Sequence, residues 1–311
     1  MILIIIITYN SEKWIRQCLN SIQSELLDYS ILCIDNNSSD DTVSILKREF
    51  ESVILISLDN NLGFGKANNI GLKYAIDKSF DFVFLLNQDT WLAKGCLESL
   101  RHQYIINDLK GILSPLHLEP SGNNFDYVFE SCIRDSLSRE ILSPFFLKDI
   151  QKKPIYKVGF VNGAAWFFSL DVLKKIGGFN PAFFHYGEDN NLGQRLNYHN
   201  MSFYIDPTAR IFHDCPQVAK RTYQDIRSQA IRDYSDFLIV LSNPKYSFIY
   251  NLREVCVILF SDFIKSLLPF RAKAFKRILF ISFYIFRNFL IIRSNFYKSL
   301  FSGAFIDSND S

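Results

Sequence analysis

Four short apolar runs, each soon followed by Asn or Asp, set the strongest limit on what this chain can fold into. They are MILIIIIT at 1–8, SILCID at 30–35, and the segments 53–58 and 82–86. Each is continuous rather than alternating, and too short to cross a bilayer. That pattern belongs to strands buried on both faces of a parallel sheet. The first run has no basic leader and no small-residue cleavage site, so it reads as a strand rather than a signal peptide. Between the runs the period changes. Ile15, Cys18, Leu19 and Ile22 recur at helical spacing behind Ser11, a candidate cap, and 42–50 and 66–79 supply two further helices. The βαβαβαβ order predicts an α/β fold: a Rossmann-like, mostly parallel central sheet with flanking helices and right-handed crossovers.

In such sheets ligands bind at the carboxyl ends of the strands. Polar residues collect there: Thr8-Tyr9-Asn10, Asp35-Asn36-Asn37, Asn60-Asn61 and Asn87-Gln88-Asp89. Further along the pattern weakens, and 120–153 reads as a flap or long loop. Segment 158–168 reads as a strand, 171–176 as a short helix, 202–205 and 210–212 as short strands, and 219–241 as a helix. From Tyr246 onward the chain is helical, aromatic and basic.

The run GEDNNLGQRL places adjacent carboxylates, Glu188 and Asp189, at the start of a predicted helix running to about residue 198. Helix-terminal N–H groups and the helix dipole are expected to hold them ionised. An ionised carboxylate at a loop–helix junction can take a proton from a hydroxyl, although acids also serve there simply as caps. His185, just before the pair, either caps the helix or meets substrate.

The segments TYNSEKWIRQCLNSI, IDNNSSDDT, NNLGFGKANNIGL, LLNQDTWL and GGFNPAFFHYGEDNNLGQRL occur in the order found in family-2 inverting glycosyltransferases. Over about residues 1–215 the chain resembles the rhamnosyltransferase-type members that build bacterial surface polysaccharide such as O-antigen. The resemblance implies a GT-A fold and a nucleoside-diphosphate sugar donor, best matched by dTDP-L-rhamnose. It also implies Mg²⁺ or Mn²⁺, and a saccharide or lipid-linked saccharide acceptor. By the same resemblance, Asp35 and Asn37 meet the nucleoside, and Thr8 and Tyr9 flank its base with Asn10 beside them. Asn61, Gly63 and Asn68 lie along the nucleoside and diphosphate, with Gly63 and Gly65 allowing close backbone approach. Asn87-Gln88-Asp89 falls where the family carries its DxD metal motif. Asn87 replaces the first acid, so Asp89 is the charged metal ligand, while Asn87 and Gln88 contact the donor. One carboxylate can suffice, because Mg²⁺ and Mn²⁺ commonly take further ligands from phosphate and water. His213 would be a second metal ligand, Asn162 and Gly163 would line the sugar, and Asp189 would be the general base with Glu188 beside it. Trp91 and Trp166 fit packing as well as they fit sugar stacking.

Two other functions share the α/β layout. A sugar nucleotidyltransferase would carry a Gly-rich basic phosphate loop after strand one, where this chain has Thr8-Tyr9-Asn10. A non-catalytic membrane-associated binding protein with a degenerate site draws on Asn87 alone.

The net charge of +2 carries no signature of nucleic-acid binding, but its distribution is uneven. Residues 245–300 hold ten Lys or Arg and two acids, a local excess of +8. The expected organisation is a GT-A catalytic domain at 1–244 and a basic, aromatic helical tail at 245–311. The tail's longest charge-free stretch, 278–286, is shorter than a spanning helix requires. Interfacial helices on an anionic membrane fit residues 246–300, and the alternative is packing on the catalytic domain or on a second copy of the chain. The expected location is cytoplasmic, peripheral on the inner face of the plasma membrane. The six cysteines are scattered without a CxxC pair, which argues against a zinc site or a disulfide framework, and Cys18, Cys33 and Cys256 read as core residues.

Overall fold

A computed structural model describes residues 1–137, 154–215, 226–267 and 272–306. The first half follows the predicted alternation: β1 (Ile2–Thr8), α1 (Ile15–Gln23), β2 (Tyr29–Asp35), α2 (Thr42–Glu49), β3 (Ile54–Ser57), α3 (Phe64–Asp77) and β4 (Phe82–Asn87). β5 (Thr90–Leu92), α4 (Cys96–Ile106), β6 (Gly111–Leu118) and α5 (Tyr127–Leu137) follow. Then come β7 (Tyr156–Val158), β8 (Ala165–Ser169), α6 (Leu170–Ile176), α7 (Glu188–Tyr198) and β9 (Ser202–His213). The C-terminal helices are α8 (Ile226–Leu241), α9 (Phe248–Ser266), α10 (Ala272–Arg287) and α11 (Phe289–Lys298).

One sheet carries all of the strands in the order β3-β2-β1-β4-β8-β6-β9-β5, with β7 also on β9. β1 pairs in parallel with β2 and β4, and β2 with β3, so four consecutive strands point their carboxyl ends to one edge. β6 and β9 are parallel to each other, while β8, β5 and β7 run antiparallel to their neighbours. The sheet is therefore mostly parallel, as expected. β1 is buried along its whole length, which explains its continuous apolar character.

Several expectations are corrected. Ser11 does not cap α1. A turn intervenes, and its hydroxyl lies 3.4 Å from that of Thr42. The stretch read as a flap at 120–153 contains α5 within its described part, and 138–153 lies outside the described residues. The strand read over 158–168 divides into β7 and β8, because the Asn162-Gly163 loop turns between them. The strands read at 202–205 and 210–212 are one, β9. Asp206 Oδ1 accepts the Thr208 N–H at 2.8 Å, closing a local turn that β6 accommodates by a register shift after Pro115. The helix read over 219–241 is described from residue 226. Cys18 and Cys33 are core residues, but Cys256 is exposed.

A second apolar cluster joins Phe183 and the α8 residues Phe237, Leu238 and Leu241 to Phe248, Ile281, Ile285, Ile292 and Phe296. It draws on residues from both sides of position 245. The chain then returns to the first core: the Gly178 N–H donates to the Ala304 carbonyl at 2.8 Å, and Ile306 joins the main cluster.

Candidate active site

At the carboxyl ends of β1, β2 and β4 lies a cleft of about 670 Å³. β1 contributes Ile7 and Tyr9, β2 contributes Asn36, and β4 contributes Asn87, Gln88 and Asp89. The loop into α3 adds Asn61, Gly63 and Phe64, and the segment before α7 adds Phe184 and His185. Asn61, Gly63, Tyr9 and the Asn87-Gln88-Asp89 set are thus brought together on one cleft. Asn36, Phe64 and Phe184 also line it, although the sequence motifs point to Asp35 and Asn37 on either side of Asn36.

Side-chain clamps hold this edge. The Gln88 amide pairs with the Tyr9 backbone in both directions: the Tyr9 N–H donates to Oε1 at 2.7 Å, and Nε2 donates to the Tyr9 carbonyl at 3.2 Å. Asn36 donates to Asn61 Oδ1 at 2.9 Å and accepts the Leu62 N–H at 2.8 Å. Asp35 is buried and accepts from Thr8 Oγ1 at 2.9 Å, from the Ser38 N–H at 2.9 Å and from the Ser38 hydroxyl. Thr8 and Asp35 therefore brace the loop beneath the cleft. Asn10 and Asn37 are exposed, do not line the cleft, and take left-handed backbone conformations, φ 50° and 67°. Asn68 is buried inside α3 and donates to the Phe64 carbonyl at 3.0 Å. Gly63 is needed for a reason other than ligand approach. Its φ is +84°, and a Cβ there would sit 2.2 Å from the Phe184 carbonyl oxygen. The chain leading to α7 crosses directly over it. Asn69 fixes the same crossing, donating to the Phe179 carbonyl at 2.8 Å and accepting the Phe179 N–H at 2.6 Å.

Glu188 and Asp189 open α7, with Gly187 at φ +89° in the capping position. Both carboxyls are shifted upward, contrary to the expectation that the helix terminus would hold them ionised. Burial, then the charge of Asp189, raises Glu188 to about 7, and its Oε2 has no hydrogen-bond partner. Burial also raises Asp189, opposed by the N–H groups of Asn190 and Gly163. Desolvation outweighs the dipole here because Glu188 is buried and Asp189 is partly covered by protein. Asp189 is half-buried, and a Cβ on Gly163 would lie 3.4 Å from its own Cβ, so the Asn162-Gly163 loop packs directly against it. Asn162 is buried, and the neighbouring Ala164 carbonyl accepts the Asn87 N–H at 2.9 Å. Asn87 Oδ1 is buried without a partner. The tryptophans are packing residues: Trp91 stacks on Phe212, and Trp166 stacks on Phe179.

Asp89 and His213, distant in sequence, are brought together by the β5–β9 pairing. His213 Nε2 lies 3.4 Å from Asp89 Oδ1, and Nδ1 lies 3.5 Å from Asp126 Oδ2. Burial lowers the affinity of His213 for a proton, but Asp126 and Asp89 raise it to about 9. The separation of 3.4 Å is longer than a normal N–H···O bond, and two ligands each about 2.1 Å from one ion can span it. A carboxylate oxygen and an imidazole nitrogen so spaced make a donor set that fits a divalent cation. Asp126, His213 and Cys215 also have ligand atoms within 4.8 Å of one another, so a cysteine joins a metal-competent cluster despite the absence of CxxC spacing.

Residues 3–177 match the model of glycosyl transferase family 2. The chain belongs to that family. This glycosyltransferase is 25% identical over 231 residues to the N-acetylglucosaminyl-diphospho-decaprenol L-rhamnosyltransferase of Mycobacterium tuberculosis, covering 68% of this chain and 75% of that one. It is 26% identical over 216 residues to the GalNAc(5)-diNAcBac-PP-undecaprenol beta-1,3-glucosyltransferase of Campylobacter jejuni, covering 67% and 63%. Among solved structures, S. aureus TarS 1-349 in complex with UDP matches with a TM-score of 0.53 at 15% identity, over 96% of this chain and 80% of that one. That likeness establishes the GT-A fold. Family membership sets aside the nucleotidyltransferase alternative.

Proposed function

We propose that this glycosyltransferase moves a hexosyl group, L-rhamnose from dTDP-L-rhamnose being the best match, from a nucleoside-diphosphate donor to a lipid-linked saccharide hydroxyl with inversion, in cell-surface polysaccharide synthesis. The observation that carries the reading is the placement of Asp89 on the wall of the strand-end cleft with His213 at 3.4 Å. Asp89 and His213 would hold Mg²⁺ or Mn²⁺, which supplies positive charge to the departing diphosphate. Asn87, with its unpartnered Oδ1, and the backbone around Gly63 would bind the donor, and Tyr9 would flank the base with Asn10 and Asn37 outside the cleft. Thr8, Asp35, Gln88, Asn61 and Asn68 shape that surface. Asn162 and Gly163 would line the sugar. Asp189 would take the acceptor proton as the hydroxyl attacks the anomeric carbon, with Glu188 beside it. The rhamnosyl donor rests on the resemblance and on the Mycobacterium relative, whose name specifies L-rhamnosyl transfer. The lipid-linked acceptor rests on the prenol in the names of both relatives.

We further assign residues 1–244 to catalysis and the helices of 245–311 to a peripheral position on an anionic membrane. Among the described residues no helix is long and apolar enough to cross a membrane. Yet 15 of the 24 exposed large hydrophobics among the described residues lie between Tyr246 and Phe301, interspersed with exposed Arg253, Lys265, Lys276, Arg287 and Arg293. Apolar groups beside cations suit a headgroup boundary. A lipid-linked acceptor would give that position a purpose, and association with a second copy is the competing use of the same surface.

The test of the core reading is turnover of dTDP-L-rhamnose with and without Mn²⁺ or Mg²⁺. Activity should require the metal, and Asp89→Ala should remove metal-dependent donor binding. Turnover unchanged by EDTA would overturn the metal assignment.

A further inference from the structure

His213 has two ring nitrogens and two carboxylates beside it. Nε2 faces Asp89 at 3.4 Å, and Nδ1 faces Asp126 Oδ2 at 3.5 Å. A neutral imidazole can offer a lone pair to a metal through only one nitrogen, and the group beside the other nitrogen decides which. Asp126 is well placed to decide. It is buried, and its two oxygens are divided between separate tasks. Oδ1 accepts the Phe129 N–H at 2.9 Å at the start of α5, leaving Oδ2 for the imidazole. Its backbone is also fixed, because its N–H donates to the His117 carbonyl at 2.9 Å and its carbonyl accepts the Glu130 N–H at 2.9 Å. His117 itself is buried on β6, with Nε2 2.9 Å from the Ser114 hydroxyl and its ring against Phe129. Asp126 thus stands on a rigid corner between β6 and α5, with one oxygen aimed at His213.

We propose that Asp126 is the positioning residue of the metal site: Oδ2 keeps the His213 proton on Nδ1, so that the Nε2 lone pair faces the ion beside Asp89. This rests on the reading of Asp89 and His213 as metal ligands. Carboxylate partners of ligating histidines commonly contribute about 10–100-fold to metal affinity. The substitution Asp126→Asn separates this role from capping. Asn caps a helix as well as Asp does, so α5 keeps its start. But the Asn amide NH₂ can turn toward His213 and donate to Nδ1, which moves the proton to Nε2 and removes the lone pair that the ion needs. Asp126→Ser keeps the cap without an amide donor.

The experiment is a titration of the full chain with Mn²⁺, following free Mn²⁺ by its electron paramagnetic resonance signal, with thermal melts alongside. Wild type should bind and His213→Ala should lose binding. Asp126→Asn should weaken binding about 10–100-fold while melting close to wild type, with Asp126→Ser in between. Asp126→Asn binding within threefold of wild type would overturn the proposal and leave the metal reading intact. Wild type failing to take up Mn²⁺ would overturn both. A thiolate charge-transfer band on Co²⁺ addition that disappears in Cys215→Ser would put the ion on the Nδ1 side of the ring, and would also overturn the proposal.

Discussion

Glu188 and Asp189 are adjacent in sequence and differ in surroundings. Glu188 is buried beside the start of α3, where a Cβ on Gly65 would come 3.7 Å from its Cβ, while Asp189 is half-buried against Gly163. Asp189 is the more exposed of the two, so on the proposed reading it would take the acceptor proton, and Asp189→Asn should cut the transfer rate by about 10²–10⁴-fold while leaving donor affinity nearly unchanged. Near-normal transfer by the variant would end the assignment. Glu188 makes a separate, thermodynamic prediction. With its folded-state value raised to about 7 from 4.5, the folded protein binds the extra proton between those limits. Stability contributed at low pH is therefore lost as pH rises from about 4.5 to 7, by on the order of 3 kcal/mol for a buried carboxyl shifted this far. Melting of wild type and Glu188→Gln across pH 4–8 should show the Gln variant gaining on wild type above pH 5. Parallel curves would mean that Glu188 is not shifted in this way.

At the scale of elements, the loop into α3 shows what the motif NNLGFGKANN does physically. Its asparagines are clamps: Asn61 Oδ1 accepts the Gly63 N–H at 2.9 Å, Asn68 bonds within α3, and Asn69 pairs with Phe179. Gly63 makes room for the segment ending at α7, so Gly63→Ala should both strain a left-handed backbone and push Phe184 outward. We expect a loss of at least ~1–2 kcal/mol in stability, read by thermal melting, together with weaker dTDP binding by calorimetry. Unchanged stability and affinity would show that the crossing is loose. The elements that hold this loop were legible because buried parallel strands and amphipathic helices announce themselves by period. β6 was not, because Ser114, Pro115 and His117 interrupt its apolar pattern, and all of them are buried in the fold. Ser114 Oγ and His117 Nε2 bond each other, which offsets part of the cost of burying them. β9 was read as two strands because Asp206 and Pro207 look like a break, whereas the Asp206 turn carries the strand through.

At the scale of the molecule, the C-terminal helices both complete the core and expose apolar surface. Phe248, Ile285 and Phe296 pack with Phe183, so this segment supports the chain over the cleft. Ile249, Phe286 and Leu290 are 78%, 82% and 76% exposed. Binding to an interface should therefore depend on them without affecting the core. The full chain should float with anionic liposomes at low salt, and the triple variant Ile249→Ser, Phe286→Ser, Leu290→Ser should float much less while melting as wild type does. Equal flotation of the two, or none by wild type, would remove the membrane assignment. Concentration-dependent self-association lost in the same variant would favour contact between copies.

By itself the sequence determined the parallel half of the sheet, the strand ends where polar residues gather, and the helix that begins with Glu188 and Asp189. Those features are local: a period, a run length or a terminal residue carries them. Tertiary structure alone decided that Asp126 faces His213, that Asn36 rather than Asn37 lines the cleft, that Phe184 crosses Gly63, and that the two acids of α7 titrate upward. Each of these depends on which surfaces are removed from water and which distant segments meet, and neither burial nor long-range contact is written in the spacing of residues along the chain.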